Sequence, residues 1–354
     1  MRSMRVHLLS VALLGSLLAA CQPAATPAPT APAAAPTKPA AAASPAASPV
    51  AAASPAASPS AAASPVAKPA ASPAAAASPA ASPAAADVTA SVRPPATMPP
   101  PGNMPAGSYM KTIQDRGNLL AGVRQDVPLI GFLNPRTNQI EGFDIDFVKA
   151  IAQAIFGDQN KVELRPVTAA ARIPSVQDGT VDVVAAAMTI TADRKNQIDF
   201  SVVYYEAGQR VLVRSDAPYN SIMDMSGKRV CAAKGTTAEQ NIPRANPQVE
   251  VVQADTYNEC LLSLQQGRID GISTDDVILS GLAATDSQTK LIGPKFTTEP
   301  YGIGMAKNHT EFVGFVNGVI DQMKSDGRWK ASFEQWFARF AGGQTPEPPR
   351  SSYQ

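Results

Sequence analysis

The chain has 354 residues, with 30 Lys and Arg against 29 Asp and Glu, and a formal net charge of +1. That balance excludes a polybasic nucleic-acid binder and an acidic tail protein. Proline, at 33 residues, is concentrated in the first third and divides the chain into a leader, a tether and a part able to fold.

The leader is Met1-Arg-Ser-Met-Arg5, an apolar run from Leu8 to Ala20, and then Cys21. A basic start followed by a short apolar core reads as a secretory signal over residues 1–20, and the run is too short for a membrane span. Leu18-Ala-Ala-Cys21 matches the bacterial lipobox, which implies cleavage before Cys21 and lipid on its sulfur and freed amino group. A plain signal cleaved after Ala20 is the alternative. Residues 21–106 are mostly Ala, Pro and Ser, with Lys38, Lys68, Asp87 and Arg93 as the charges. Frequent proline and few large apolar groups predict a disordered tether of polyproline II character, with a reach on the order of 200 Å.

From residue 107 onwards short apolar runs alternate with amphipathic segments, the α/β pattern. Leu119–Val123 is the first predicted strand, and Arg124 follows it directly. Gly142-Phe-Asp-Ile-Asp146 opens a helix whose positive end suits Asp144 and Asp146. Phe147, Ile151 and Ile155 share one face of that helix, and Gly157 ends it. Val162–Val167 alternates as a strand, and Arg172 opens a short helix that stops at Gly179. The next stretch is Ala185-Ala-Ala-Met-Thr-Ile-Thr-Ala-Asp-Arg194. It follows the apolar Val181–Val184 and leads into a helix with Thr191 as N-cap. Thr189, Thr191 and Arg194 therefore sit at the C-terminal end of a strand, where open α/β sheets bind ligands. An arginine there can hold a carboxylate in a two-pronged hydrogen bond; a surface arginine beside turn threonines is the plainer alternative.

Gln209–Arg214 is a strand placed across a hinge, and Arg210 reads as structural. Arg229–Ala233 is a strand whose Lys234-Gly-Thr-Thr237 turn exposes backbone N–H groups suited to an anion. Val249–Val252 is a strand, Thr256-Tyr-Asn-Glu259 a capping box, and Ile269–Ser273 a strand with Thr274-Asp-Asp276 at its C-terminal end. Pro300–Met305 is read as one strand crossing back, followed by helices over 311–326 and 329–340. Cys231 lies on a strand and Cys260 on the following helix. Outside the cytoplasm such a pair can oxidise, with two buried free thiols as the alternative.

Gly142-Phe-Asp-Ile-Asp146, Met188-Thr-Ile-Thr191 with Arg194, Gly235-Thr-Thr237, Thr274-Asp-Asp276 and Glu299-Pro-Tyr-Gly302 occur together in order. In this the chain resembles the polar amino-acid-binding family of bacterial extracellular solute-binding proteins, over roughly Gly117 to Phe340. The resemblance implies an α/β, two-lobe periplasmic-binding-protein-like fold of type II. Each lobe is a mostly parallel sheet flanked by helices, and two crossover strands join them. The expected divisions are 107–206 for the first part of lobe 1, 207–297 for lobe 2, 298–343 for the closing part of lobe 1, and 344–354 for a loose tail.

It further implies that Arg194 holds an α-carboxylate, aided by Thr189 and the N–H groups of Thr236 and Thr237. Asp275 meets an α-ammonium, with the carbonyl of Ala187 and the hydroxyl of Thr189 as its other partners. Taken alone, Asp275 reads equally as a helix N-cap and Thr236 as turn chemistry. In glutamate- and aspartate-binding relatives, positions resembling Arg124 and Arg172 carry cations for a distal carboxylate; a rim charge and a surface helix residue are the alternatives. Some glutamate-binding relatives look similar at the cysteine pair.

The expected function is capture of an amino acid, glutamate or aspartate, by a membrane-anchored monomer that delivers it to an ABC permease and its ATPase subunits. Binding of glutamine, a dehydratase-type enzyme, and a receptor-docked sensor are the alternatives. The only histidines are His7 and His309. The sequence shows no metal-ligand spacing and no Gly-x-Ser-x-Gly elbow; no cofactor and no catalytic residue is expected, although a Glu or Asp can also do acid–base work.

Overall fold

The computed structural model describes residues 87–340 and 342–354. The signal, Cys21 and the tether up to residue 86 lie outside the described residues. Two five-stranded sheets carry the fold, and they share one plan. In lobe 1, Val162–Pro166, Leu119–Val123 and Val183–Ala185 run parallel; Gly304–Met305 joins antiparallel and Asp199–Phe200 closes the edge. In lobe 2, Glu250–Ala254, Arg229–Ala233 and Gly271–Asp275 run parallel, and Gln209–Arg214 and Thr289–Ile292 complete the sheet antiparallel. Every residue of Leu119–Val123 is buried, as expected for a parallel strand covered by helices on both faces.

Between the sheets run two crossover strands, Tyr205–Ala207 and Glu299–Tyr301, paired antiparallel as a two-stranded ribbon. The segment read as one strand over 300–305 is thus split: Glu299–Tyr301 belongs to the crossover and Gly304–Met305 to lobe 1. Parallel strands repeatedly hand over to helices at the same sheet edge, and threonines start several of them. The hydroxyls of Thr191, Thr236 and Thr256 accept from the N–H groups of Arg194 (3.2 Å), Glu239 (3.3 Å) and Glu259 (3.2 Å). Each bond satisfies an N–H that the first helical turn leaves without a partner.

The helix Phe143–Phe156 is capped at its end by Gly157, with φ +76°. Its two acids do more than face the helix dipole. Asp146 accepts from Ser332 (2.5 Å) and Trp336 (2.8 Å), tying this helix to Arg328–Phe337. Asp144 is fully buried and bonds the Ala187 peptide, and is described with the site. The sequence reading had no element for the helix Tyr109–Arg116 or for the small sheet of Asp126–Val127, Gly131–Asn134 and Gln139–Glu141.

Residues 87–106, expected as tether, are instead laid against lobe 1. Ser91 donates to the Phe200 carbonyl (2.7 Å), Asn317 donates to Ser91 and to the Val92 carbonyl (2.6 Å), and Met104 is buried. The tail 344–354, expected to be loose, ends on the same surface. Tyr353 forms a parallel bridge with Ser91 and bonds Asp321, Ser351 bonds Lys324 (2.9 Å), and Ser352 bonds Asp87. Met104 is buried in the core, and Met98 and Tyr353 pack against it partly buried, which seats both ends on lobe 1.

Cys231 and Cys260 form a disulfide between the strand Arg229–Ala233 and the helix Tyr257–Gln265, 29 residues apart in sequence. Closing a loop of that length restrains the unfolded chain by roughly 3.5 kcal/mol. Peptide mapping of the unreduced protein should recover the two cysteines as one linked pair. Cys231→Ala with Cys260→Ala should lower stability by about 3 kcal/mol, read from denaturant unfolding.

Candidate ligand site between the lobes

The eight residues singled out in the cleft, Arg124, Arg172, Ala187, Thr189, Arg194, Thr236, Thr237 and Asp275, all line one cavity, together with Val127, Tyr257, Thr274 and Ile278. Arg124, Arg172, Ala187, Thr189 and Arg194 come from lobe 1; Thr236, Thr237 and Asp275 come from lobe 2. The lobes meet closely around it. A Cβ on Gly281 would stand 2.4 Å from the Pro128 carbonyl oxygen, and one on Gly235 would stand 2.8 Å from the Ala170 Cα. Gly235 also has φ +75°, the left-handed backbone that glycine adopts without strain.

The arginines are differently occupied. Arg194 donates from Nη1 to the Thr189 carbonyl (2.8 Å) and from Nη2 across the cleft to the Gly235 carbonyl (3.0 Å). Arg172, only 3 % exposed, donates to the carbonyls of Ala169 (2.9 Å), Ala186 (3.1 Å), Ala187 (3.0 Å) and, across the cleft, Gly235 (3.2 Å). Burial and the neighbouring Arg194 and Arg124 cations push its pKa down to about 9, which leaves it charged at neutral pH. Burial lowers that of Arg194 as well. Arg124 is not a free cation. It makes a bidentate pair with Asp126, Nε to Oδ1 at 2.8 Å and Nη2 to Oδ2 at 2.6 Å, and lies over the Tyr257 ring at 5.9 Å.

On the acid side, Asp275 occupies the N-cap position of the helix Asp276–Thr285, yet its side chain makes no cap bond. It accepts instead from the Tyr301 hydroxyl at 2.5 Å. Burial, and then the nearby Glu299 carboxylate, raise its pKa to about 7. Thr236, by contrast, does perform turn chemistry: besides capping its helix, its hydroxyl donates to the Ala233 carbonyl at 2.6 Å.

Ala187 has φ +47°, a conformation costing a residue with a Cβ about 1 kcal/mol. Asp144 holds it there by accepting from the Ala187 N–H (2.7 Å) and the Tyr204 hydroxyl (2.7 Å). Burial raises the Asp144 pKa to about 6. Glu299, on the crossover strand and 2 % exposed, accepts from Thr189 (2.7 Å), Thr237 (2.7 Å) and Asn241 (3.0 Å).

Sequence reasoning missed Asp126, Asp144, Tyr257 and Glu299 as site residues. Asp126 stands two residues after Arg124, and Glu299 opens the Glu-Pro-Tyr-Gly motif, so both carried a signal. Among the described residues, no group of three or more His, Cys, Asp or Glu side chains is placed to hold a metal ion, and no helix is long and apolar enough to cross a membrane.

Two mixed sheets of one plan, a paired crossover and a charged slot between them set this chain beside known binding proteins. The description "bacterial extracellular solute-binding proteins, family 3" matches residues 119–339. The chain belongs to this family. It is 40% identical over 228 residues to the ABC transporter glutamine-binding protein GlnH of Bacillus subtilis, covering 64% of this chain and 84% of the relative. To a glutamine-binding protein of Geobacillus stearothermophilus it is 43% identical over 199 residues, covering 56% and 76%. To the glutamate-binding protein GluB of Corynebacterium efficiens it is 30% identical over 254 residues, covering 68% and 86%. Among solved structures it is similar to an ancestral arginine-binding protein bound to glutamine. That likeness has a TM-score of 0.59 and 35% identity, and covers 65% of this chain and 99% of the other. The family's type II two-lobe fold is the fold class expected from the sequence.

The raised pKa of Asp275 makes a prediction for the empty protein. Between its ordinary 3.8 and about 7, the folded form holds a proton that the unfolded chain releases. This group's contribution to stability therefore falls as pH rises through that window and stays low above it. Asp275→Asn, which cannot ionise, should raise the ligand-free melting temperature by a few degrees at pH 8 and leave it nearly unchanged at pH 3.5. A scanning calorimeter reads both.

Proposed function

We propose that this chain is an extracytoplasmic amino-acid-binding protein of an ABC importer, that its ligand is L-glutamine, and that lipid on Cys21 anchors it to the membrane. The observation that carries the ligand assignment is the bidentate Arg124–Asp126 pair. A distal carboxylate needs an uncommitted cation at that end of the slot, and Asp126 has already neutralised it. The remaining lining there, Val127, Tyr257 and Ile278, suits a neutral polar side chain. The higher identity to glutamine-binding than to glutamate-binding relatives points the same way.

In this reading Arg194 turns a guanidinium edge to the α-carboxylate. Asp275, the Ala187 carbonyl and the Thr189 hydroxyl take the α-ammonium. Arg172 positions the Ala186–Ala187 backbone and the Gly235 carbonyl. A ligand touching both lobes stabilises the closed form by its differential affinity. Glutamate, favoured on sequence, is the second reading; the neighbourhood of Arg172, where two further guanidinium groups lower its pKa, supports it.

Calorimetric titration should give glutamine at least tenfold tighter binding than glutamate; equal or tighter glutamate overturns the glutamine assignment. Arg194→Ala should weaken every amino acid by a hundredfold or more. Affinity should decline as pH falls below about 7, because the ammonium needs Asp275 ionised and protonation of that carboxyl competes with it. Tyr301, Glu299, Asp276 and Arg172 are the charged or titratable groups that face it, and an affinity flat from pH 8 to pH 5.5 would remove Asp275 from the role. Mass spectrometry of the membrane-extracted protein should find diacylglycerol on Cys21.

A further inference from the structure

Resting on the amino-acid reading above, we infer that Glu299 fixes the direction of two hydroxyl hydrogens and thereby makes the closed slot selective for an amine over a hydroxyl. Its Oε2 accepts from Thr189 Oγ1 and from Thr237 Oγ1, each at 2.7 Å, and its Oε1 accepts from Asn241 Nδ2 at 3.0 Å. A threonine hydroxyl has one hydrogen and two lone pairs, and a carboxylate only accepts. Both hydroxyl hydrogens are therefore spent on Glu299. The two threonine oxygens, 3.4 Å apart, turn lone pairs towards the cavity that both of them line. Glu299 does not line that cavity; with both threonines it lines the polar recess behind them.

Thr189 belongs to lobe 1, whereas Thr237 and Asn241 belong to lobe 2. The three-donor arrangement exists only with the lobes together, so the pair of acceptors is assembled by closure itself. An ammonium group offers three N–H donors and no lone pair, and it matches such a surface. A hydroxyl at the same carbon offers one hydrogen and meets the threonine oxygens with its own lone pairs.

Glu299 is a positioning residue here, and its replacement by an amide has a definite geometry. Asn241 is held in its orientation by Arg244 Nη1, which donates to Asn241 Oδ1 at 3.2 Å. In Glu299→Gln the new carbonyl must then face the Asn241 amide nitrogen and the new NH2 must face the threonines. Their hydroxyls become acceptors on that side and turn their hydrogens into the slot.

The test uses the full chain and calorimetric titration with L-glutamine and L-glutamate, each beside its 2-hydroxy counterpart. Wild type should prefer the amino acid to the hydroxy acid. Glu299→Gln should weaken the amino acid about ten- to hundredfold, the loss of hydrogen bonds to a charged group. It should change the hydroxy acid less than threefold. Thr237→Val removes one acceptor and keeps the carboxylate, and it should narrow the same preference. Equal weakening of both ligand classes by Glu299→Gln would make Glu299 a structural latch only. Narrowing by Glu299→Gln but not by Thr237→Val would assign the effect to charge at a distance. Either result overturns the inference while leaving the binding function standing, whereas a wild-type chain that binds no amino acid overturns both.

Discussion

Two guanidinium groups of one lobe converge on a single carbonyl of the other. Arg172 and Arg194 both donate to Gly235, and that carbonyl is presented by a turn that needs glycine twice over. It needs φ +75°, and it needs the backbone to come within a Cβ's reach of Ala170. Hydrogen bonds from a buried cation are among the stronger ones, and leaving such a cation without partners is costly. The cleft is thus a place where charge has to be answered by oxygen, either from the opposite lobe or from a bound carboxylate.

The acidic half follows the same logic with the sign reversed. Asp275 is buried beside Glu299 and has the Tyr301 hydroxyl as its hydrogen-bond partner. The Glu299 carboxylate adds to the cost of ionising the buried Asp275, and a cation arriving between the lobes would relieve it. Asp144 contributes indirectly. It holds in a strained backbone conformation the same Ala187 whose carbonyl the family resemblance had assigned to the α-ammonium. The strain sits at the site and is supported by a fully buried network reaching Tyr204.

Much of this was legible in the chain. Strand ends followed by threonine caps placed Thr189, Arg194, Thr236 and Asp275 on facing edges, because parallel strands put their C-terminal ends on one side. What stayed hidden was pairing. The Arg124-Gln-Asp126 spacing hints at a pair without deciding it, since a strand puts residues two apart on one face and a turn need not. The structure turns there into a small sheet, and the pair closes. Asp144 was legible as a helix-start acid but not as a ligand of the Ala187 peptide, because that contact joins residues 43 positions apart. The ends were misjudged on composition. Proline-rich segments read as loose, yet Met98, Met104 and Tyr353 supply enough apolar area to seat them on lobe 1.

That seating has a mechanical side. The chain enters the described structure at Asp87 and leaves it at Gln354, and these ends are stitched to each other and to lobe 1 through Ser91, Ser352 and Tyr353. Lobe 2 is reached only through the ribbon of Tyr205–Ala207 and Glu299–Tyr301. A pull applied to the backbone at Asp87 would therefore be borne by lobe 1, because lobe 2 is covalently reached through the two ribbon strands.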